Sequence, residues 1–291
     1  MIGAGMIGAA VLYVPAGNPR AVAKAPTLGA DALIYDLEDA VAPAAKGRAR
    51  ETLRDALGPR GDARPEGMFA VRVNGLGTPE FAEDLLAARA IAPDAIVLPK
   101  VEAAADLRAV ETALEEMDAP DALALWAMIE TPRGVLNLRE IAAHGGRLAA
   151  LVAGTNDLAT ATGIRDPEPR PFLRGWLAEI VLCARAHGLG ALDGVRNDWG
   201  TPAFEAEARE AAMMGFDGKT LIHPAQIAPA RAAFAPTGDE VRDARAIVAA
   251  FETAGPEAGV LEVGGRMVER LHLEAARRTL DLARRTEGDA T

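Results

Sequence analysis

Short apolar runs alternate along this chain with longer amphipathic stretches that are rich in Ala and Arg. Apolar runs bounded by Gly, Pro or Asp are typical of buried strands, and the stretches between them have the length and periodicity of helices. The pattern predicts eight strands: Ala10–Val14, Ala32–Tyr35, Met68–Val73, Ala95–Leu98, Leu123–Ile129, Leu148–Val152, Leu189–Leu192 and Gly218–Ile222. The helices predicted between them are Pro19–Leu28, Ala44–Leu57, Pro79–Ala90, Ala103–Met117, Pro132–Ala143, Pro171–His187 and Pro202–Met214.

Strands that alternate with helices form a parallel sheet, so the fold class is α/β. Eight such units in about 230 residues favour a (β/α)₈ TIM barrel, with an open doubly wound sheet as the alternative. We therefore predict a barrel over residues 1–235 that carries the active site. Residues 236–291 form a C-terminal helical extension with helices at Asp239–Ala254 and Glu269–Arg285, which we interpret as a lid or a subunit interface.

Composition excludes several classes of protein. The net charge of −11 argues against nucleic acid as a partner. No apolar run reaches membrane-spanning length, and the first residues lack the basic start of a signal peptide, so we expect a cytoplasmic protein. The chain has no serine, which excludes a Ser–His–Asp hydrolase. The glycines at positions 3, 5 and 8 fit a dinucleotide pattern, but a strand follows them where that pattern needs a helix.

Two acidic residues stand just after predicted strands. Glu130 follows the fifth strand, and Asp157 follows the sixth. A carboxylate at the exit of a buried strand is costly unless it is compensated, and Mg²⁺ commonly takes one or two protein carboxylates. The alternative is that each acid starts the next helix, where a negative charge suits the helix dipole. We predict a Mg²⁺ site held by Glu130 and Asp157.

Other polar residues also collect at the ends of predicted strands, and in barrels this face carries the active site. Arg72 is a fixed positive fork that suits a carboxylate or a developing enolate. Glu38 and Asp39 support the metal through water or accept a hydrogen bond from Arg72. A cavity with a metal and an arginine suits a 2-oxo acid. The remaining polar residues at strand ends are Asp36, Asn74, Lys100, Asp193 and His223.

Three of these residues have ordinary structural interpretations as well. Asp36 can serve as a buried partner for a backbone N–H. Lys100 can form an ion pair with Glu102 or with another acid. His223, directly before a proline, suits the start of a helix or a packing role better than that of a base.

Several ordered motifs carry a resemblance to a known family. They are Leu12–Pro15, Lys24–Ala25, Gly29–Pro43 with Lys46, Val71–Asn74, Leu98–Glu102, Ile129–Val135, Gly154–Ala159, Ala191–Val195 and Gly215–Lys219 leading to Ile222–Pro224. In this order they resemble the citrate lyase β-subunit-like branch of the HpcH/HpaI aldolase family, over nearly the whole chain. The resemblance implies a (β/α)₈ barrel, dependence on Mg²⁺ and homo-oligomers, often trimers or hexamers. Family members make or break a carbon–carbon bond between acetyl-CoA, or a related acyl thioester, and a 2-oxo acid.

The resemblance also implies roles for individual residues. Glu130 and Asp157 would be the metal ligands, and Arg72 would contact the thioester or enolate oxygen. The residues that would bind substrate, besides Arg72, are Gly154, Thr155, Asn156, Pro15, Arg20 and Lys24.

Two departures from the family pattern bear on the reaction. The usual Pro-Gly after the first strand is Pro15-Ala16-Gly17 here, and the customary Arg-Ser before that strand is missing. Related malyl-CoA lyases and malate synthases carry an Asp in a Met-Ile-Asp motif near the C-terminus as acid/base, where this chain has Met267-Val268-Glu269. A misplacement of about 1 Å can cost roughly 10²-fold in rate. The change therefore leaves room for a slow lyase or a thioesterase.

We predict a Mg²⁺-dependent carbon–carbon lyase that cleaves or forms a 3-hydroxyacyl-CoA thioester, such as malyl-CoA, citramalyl-CoA or citryl-CoA, with acetyl-CoA and a 2-oxo acid on the other side. Its candidate catalytic residues are Arg72, Glu269, Glu38 and Asp39. Four alternatives stay open: a citrate lyase β subunit that acts on an acyl-carrier protein, a CoA-independent 2-oxo acid aldolase, a malyl-CoA thioesterase, and a barrel kept as a scaffold.

Overall fold

The computed structural model describes residues 7–165 and 170–288, with side chains up to residue 284. The chain divides into two compact units, Met1–Ala233 and Phe234–Thr291. Most of the glycine pattern at positions 3–8 lies outside the described residues, and a strand follows it.

The first unit is a closed barrel of eight parallel strands in sequential order, with the last strand paired to the first. This confirms the α/β fold class and the (β/α)₈ barrel, and it excludes the open sheet. The strands are β1 Ala10–Pro15, β2 Ala32–Asp36, β3 Met68–Arg72, β4 Ala95–Leu98, β5 Ala124–Ile129, β6 Leu148–Ala153, β7 Gly190–Asp193 and β8 Gly218–Leu221.

Helices connect the strands, close to the predicted positions. They are α1 Pro19–Lys24, α2 Lys46–Leu57, α3 Phe81–Ile91, α4 Ala104–Glu116, α5 Pro132–Leu136, α6 Leu138–Ala142, α7 Thr155–Thr162, α8 Arg174–Ala186, α9 Pro202–Met214 and α10 Ile227–Phe234. The predicted helix Pro132–Ala143 is two short helices, because Asn137 leaves helical geometry and its side chain donates to the Glu102 carbonyl at 2.8 Å. Helix α10 was not predicted, and α7 corresponds to the alternative in which Asp157 starts the next helix.

Alternation along the strands sorts side chains between the barrel interior and the surrounding helices. The interior is filled by residues such as Ile34, Ala70, Val97 and Trp126. Two residues further along β2 and β3, the same alternation places polar side chains at the carboxyl end of the barrel. Asp36 and Arg72 are directly paired in register there. The register therefore brings the first two site residues together.

The second unit contains α11 (Gly238–Ala254), the hairpin of β9 (Val260–Val263) and β10 (Arg266–Glu269), and α12 (Arg270–Gly288). The two-residue turn between the strands has positive φ at both Gly264 and Gly265, which suits a tight hairpin. Glu269 is therefore the last residue of a strand and not the first of a helix. None of the helices in the described part of the chain is long and apolar enough to cross a membrane.

Candidate active site

Arg72 is held in place by three neighbours at the carboxyl end of the barrel. Its Nε and Nη2 donate to the two carboxylate oxygens of Asp36, at 2.7 and 2.6 Å. Its Nη1 lies 2.9 Å from Glu38 Oε2, and the guanidinium stands 4.9 Å from the centre of the Tyr13 ring. Burial opposes the positive charge, but Asp36 outweighs it and raises the pKa of Arg72. Arg72 is thus a rigid, permanently charged group.

Asp36 also supports the loop that follows β2. Its carboxylate accepts the backbone N–H groups of Glu38, at 2.9 Å, and Ala40, at 3.1 Å. Asp36 is therefore a buried partner for backbone N–H groups, and the same carboxylate orients Arg72 and the loop that carries Glu38 and Asp39.

A second hydrogen-bond network, formed by Lys46 and Asn74, fixes the same loop. The Lys46 ammonium donates to the carbonyls of Leu37, at 3.1 Å, and Glu38, at 3.2 Å, and to the side chain of Asn74. Asn74 in turn donates to Asp84 at 2.5 Å. Asn74, which follows a strand in the sequence, is therefore part of the support of this loop.

Glu130 lies deep at the end of β5, with only 2% of its surface exposed. Its Oε1 accepts the Lys100 backbone N–H at 2.8 Å. A Cβ on Gly154 would lie 2.6 Å from Glu130 Oε2, so only glycine leaves room for this carboxylate. Burial, reinforced by the charges of Asp157 and Glu38, raises the pKa of Glu130 to about 7.

Lys100 reaches across the mouth of the barrel. Its Nζ lies 2.5 Å from Glu38 Oε1 and 3.7 Å from Asp157 Oδ2. The sequence suggested Glu102 or another acid as its partner, and these two acids fill that role, while Glu102 pairs with Arg133 at 3.6 Å. Lys100 has a φ of +54°, which is uncommon for a residue with a side chain. This backbone turn aims its N–H at Glu130.

Asp157 lies in the first turn of α7 and is partly exposed, so its position suits the helix dipole as well as a cation. Its loop is tied to the one after β7. Thr155 Oγ1 donates to the Val195 carbonyl at 3.3 Å. The amides of Asn156 and Asn197 exchange two hydrogen bonds, of 3.1 and 3.2 Å. The segment before Asp157 is therefore fixed through the side chains of Thr155 and Asn156.

The residues present fit a hard divalent cation. Glu130 and Asp157 are close enough for the charge of one to raise the pKa of the other, and both offer oxygen ligands. Within residues 7–165 and 170–284 no group of three or more His, Cys, Asp and Glu side chains is arranged to hold a metal. A pair of carboxylates is the protein contribution that Mg²⁺ commonly uses, with water and substrate as the other ligands.

The remaining predicted residues lie on other elements. Pro15, Arg20 and Lys24 are exposed at the end of β1 and on α1, which Asn18 caps by accepting the Ala21 N–H at 3.2 Å. Arg20 and Lys24 are four residues apart, so they project from one face of α1. Glu269 belongs to the second unit, where its backbone N–H donates to His272 Nδ1 at 2.9 Å.

Asp193 and His223 have structural roles. Asp193, at the end of β7, does not join the residues at the barrel mouth. It accepts hydrogen bonds from Lys219 at 2.6 Å and from Arg170 at 2.7 Å, in a buried network that also includes Glu207 on α9. His223 Nδ1 accepts the Ala225 N–H at 3.1 Å at the start of a short 3₁₀ helix, as the helix-start interpretation requires.

The arginine and the two carboxylates lie at the carboxyl end of the barrel, which is the face that carries the active site in barrel enzymes. The chain belongs to the HpcH/HpaI aldolase/citrate lyase family, whose model matches residues 9–224. The family resemblance drawn from the motifs is confirmed.

Three individual proteins show how similarity is distributed. A (3S)-malyl-CoA thioesterase of Cereibacter sphaeroides is 46% identical over 93% of this chain and 92% of its own. An L-malyl-CoA/β-methylmalyl-CoA lyase of the same species is 33% identical over 91% of each chain. The crystal structure of CitE from Mycobacterium tuberculosis, in complex with magnesium, acetoacetate and coenzyme A, matches with a TM-score of 0.78. It is 34% identical, over 96% of this chain and 99% of that one.

Proposed function

We propose that this protein hydrolyses a malyl-CoA-type thioester to malate and CoA with the help of Mg²⁺. The observation that carries the proposal is the 46% identity, over nearly the full length of both chains, to (3S)-malyl-CoA thioesterases. The thioesterase alternative thus takes precedence over carbon–carbon cleavage as the principal activity. Both belong to a family of enzymes that act on acyl thioesters and related acids.

The barrel mouth offers what hydrolysis requires. Glu130 and Asp157 would hold Mg²⁺, which when bound would polarise oxygens of the hydroxy acid. Arg72 is fixed in orientation and suits the negative charge that develops on the thioester oxygen as water adds to the carbonyl carbon. The C–S bond then breaks, and the sulfur leaves as the CoA thiol. In this proposal the water oxygen becomes part of the new carboxylate.

Hydrolysis also requires a base that accepts a proton from the attacking water. Glu38 is engaged by Arg72 and Lys100. Asp39 lies 3.7 Å from Arg72 and exposes 60% of its side chain, so a water has access to it. We assign Asp39 as the base for hydrolysis.

A second candidate is cleavage of the same thioester to acetyl-CoA and glyoxylate. The lyase relative at 33% identity favours it, and Glu269 would be its acid/base in place of the family Asp. The two reactions share Arg72 and the metal site but break different bonds. The products therefore distinguish them.

The deciding experiment is product analysis by mass spectrometry in ¹⁸O-labelled water. We expect purified protein with Mg²⁺ to convert malyl-CoA to free CoA and to malate that carries one heavy oxygen, and we expect EDTA to stop the reaction. Acetyl-CoA with glyoxylate would instead establish the lyase. No turnover of malyl-CoA, citramalyl-CoA or citryl-CoA would overturn the proposal and favour the carrier-protein or scaffold alternatives.

Substitution of Arg72 by lysine is expected to lower kcat/KM for malyl-CoA by about 10²-fold, the scale of losing one oxyanion donor. A lysine is a point charge that cannot bond both oxygens of Asp36 and face the substrate at once. Steady-state kinetics measures the effect. A matching fall in Mg²⁺ affinity would contradict a role limited to the thioester oxygen.

The oligomeric state, a trimer or hexamer by the family resemblance, stays a prediction. Light scattering on the purified protein measures it directly.

A further inference from the structure

An aromatic pair stands on the rim of the barrel, outside the residues proposed to act on the thioester. Trp199, in the loop after β7, is stacked on His223, in the segment after β8. The ring centroids are 4.7 Å apart, and the planes differ by 11°. Half of Trp199, 52% of its surface, remains exposed. The indole is thus stacked on the histidine, and half of the side chain remains accessible to a ligand.

The pair is held rigidly by the segments that carry it. The fully buried Gln226 accepts the backbone N–H groups of Ile222, at 2.9 Å, and His223, at 3.2 Å. Its Nε2 donates to the Arg196 carbonyl at 3.0 Å, which ties the segment after β8 to the loop of Trp199. The cap on His223 Nδ1 fixes the imidazole itself. An exposed aromatic surface is therefore preorganised, which lowers the cost of binding a planar group.

The same loop is joined to the candidate metal site. Asn197, two residues before Trp199, exchanges two hydrogen bonds with Asn156, the neighbour of Asp157. On the other side, β8 is paired with β1, and the helix that follows β1, α1, carries the exposed cations Arg20 and Lys24. The aromatic pair thus stands between a site for the acyl group and a pair of cations suited to phosphates.

We propose that Trp199, supported by His223, stacks on the adenine ring of the CoA thioester. The inference rests on the proposed function, because adenine is the one flat aromatic ring that such a substrate carries. Stacking of a base on an aromatic side chain requires an exposed ring that is held in place, and it does not require specific hydrogen bonds to the base. Trp199 would act on affinity for the thioester and leave the chemical step unchanged.

The test compares Trp199→Leu with Trp199→Phe on two substrates, malyl-CoA and the malyl thioester of 4′-phosphopantetheine, which lacks the adenine nucleotide. Leucine keeps apolar surface without a ring, and phenylalanine keeps a ring. We expect Trp199→Leu to raise KM for malyl-CoA on the order of tenfold at unchanged kcat, the scale of one stacked base. Trp199→Phe should stay close to the native protein, and the shorter thioester should be insensitive to either change.

Calorimetric titration with CoA alone separates this inference from the proposed function, since it needs no turnover. Weaker CoA binding by Trp199→Leu supports stacking of Trp199 on adenine even if malyl-CoA is not hydrolysed. An unchanged KM and CoA affinity, or equal losses on both thioesters, would overturn it. A shift in oligomeric state of Trp199→Leu without a change in CoA affinity would also overturn it and would assign the surface to contact with a second copy.

Discussion

Replacing Glu130 by glutamine is expected to abolish Mg²⁺ binding and to lower thioester turnover by about 10³-fold or more, because Lewis-acid stabilisation is worth several kcal/mol. Glutamine has the shape of glutamate and keeps an oxygen that can accept the Lys100 N–H. The fold around Gly154 should therefore be preserved. The substitution removes one of the two negative charges that would bind the metal. Asp157 alone is a poor ligand, because it is partly exposed and lies 3.7 Å from the Lys100 ammonium.

Calorimetric titration with Mg²⁺ measures the first effect without reference to activity. A ligand that binds only the folded state raises its stability, so Mg²⁺ should raise the melting temperature of the native protein and leave that of Glu130→Gln unchanged. Glu102→Gln is the matched control, since Glu102 lies on the loop after β4 and pairs with Arg133, and it is not one of the two proposed metal ligands. Native-like Mg²⁺ affinity in Glu130→Gln would rule out the proposed ligand set.

The sequence alone could place Glu130, Asp157 and Arg72 at one end of the barrel, because parallel strands bring their carboxyl ends together. It could not say on which side of a strand a polar residue points. In a parallel barrel both faces of a strand are buried, so both sets of alternating positions are apolar. Arg72 follows the interior residue Ala70 by two positions and points inward, whereas Asp193 follows the interior residue Leu192 by one and points towards the helices.

Lys100 and Lys219 illustrate a second limit. The sequence has four lysines among many arginines, but their scarcity does not indicate which residues they contact. Lys100 reaches Glu38 and Asp157 from a backbone turn with positive φ, and nothing in Pro99-Lys100-Val101 signals that turn. Lys219 is fully buried, and its two acidic partners, Asp193 and Glu207, come from different elements, β7 and α9. Such contacts depend on how helices pack around the barrel.

In the proposed function, Arg72, Glu130 and Asp157 would not decide between hydrolysis and carbon–carbon cleavage. Both reactions require a polarised thioester oxygen, so Arg72 and the proposed metal ligands Glu130 and Asp157 would serve either one. What separates them is the group that moves the proton. The family Asp is Glu269 here, and Asp39 offers an exposed carboxylate beside Arg72. The product analysis therefore tests the proton-transfer group as much as the substrate.

Asp193→Asn is expected to lower the free energy of unfolding of the barrel by about 3–5 kcal/mol, the usual cost of breaking a buried ion pair from one side. Lys219 is completely buried, and its ammonium bonds Asp193 at 2.6 Å, Glu207 at 2.7 Å and the Gly194 carbonyl at 2.5 Å. Arg170 shares the same oxygen of Asp193, at 2.7 Å. Asparagine keeps the shape but leaves two buried cations with one carboxylate less.

The pH dependence of the effect has a definite sign. Burial alone would raise the pKa of Asp193, but Lys219 and Arg170 outweigh burial and hold that pKa below the ordinary value. An acid with a lowered pKa in the folded state stabilises the fold above its unfolded pKa, and the stabilisation is lost as pH falls through the folded pKa. The difference between the native protein and Asp193→Asn should therefore be full at pH 7 and shrink in strong acid.

Urea unfolding followed by tryptophan fluorescence measures this effect in the barrel, because Trp126, Trp176 and Trp199 all lie within Met1–Ala233. Asp121→Asn is the matched control in the same unit, since Asp121 is exposed and pairs loosely with Arg147 at 3.6 Å. The control should leave the unfolding midpoint unchanged, because exposed pairs contribute little. Equal midpoints for the two variants would mean that Lys219 and Arg170 find other partners when Asp193 loses its charge. The ion pairs of Asp193 would then contribute little to the stability of the contact between β7, β8 and α9.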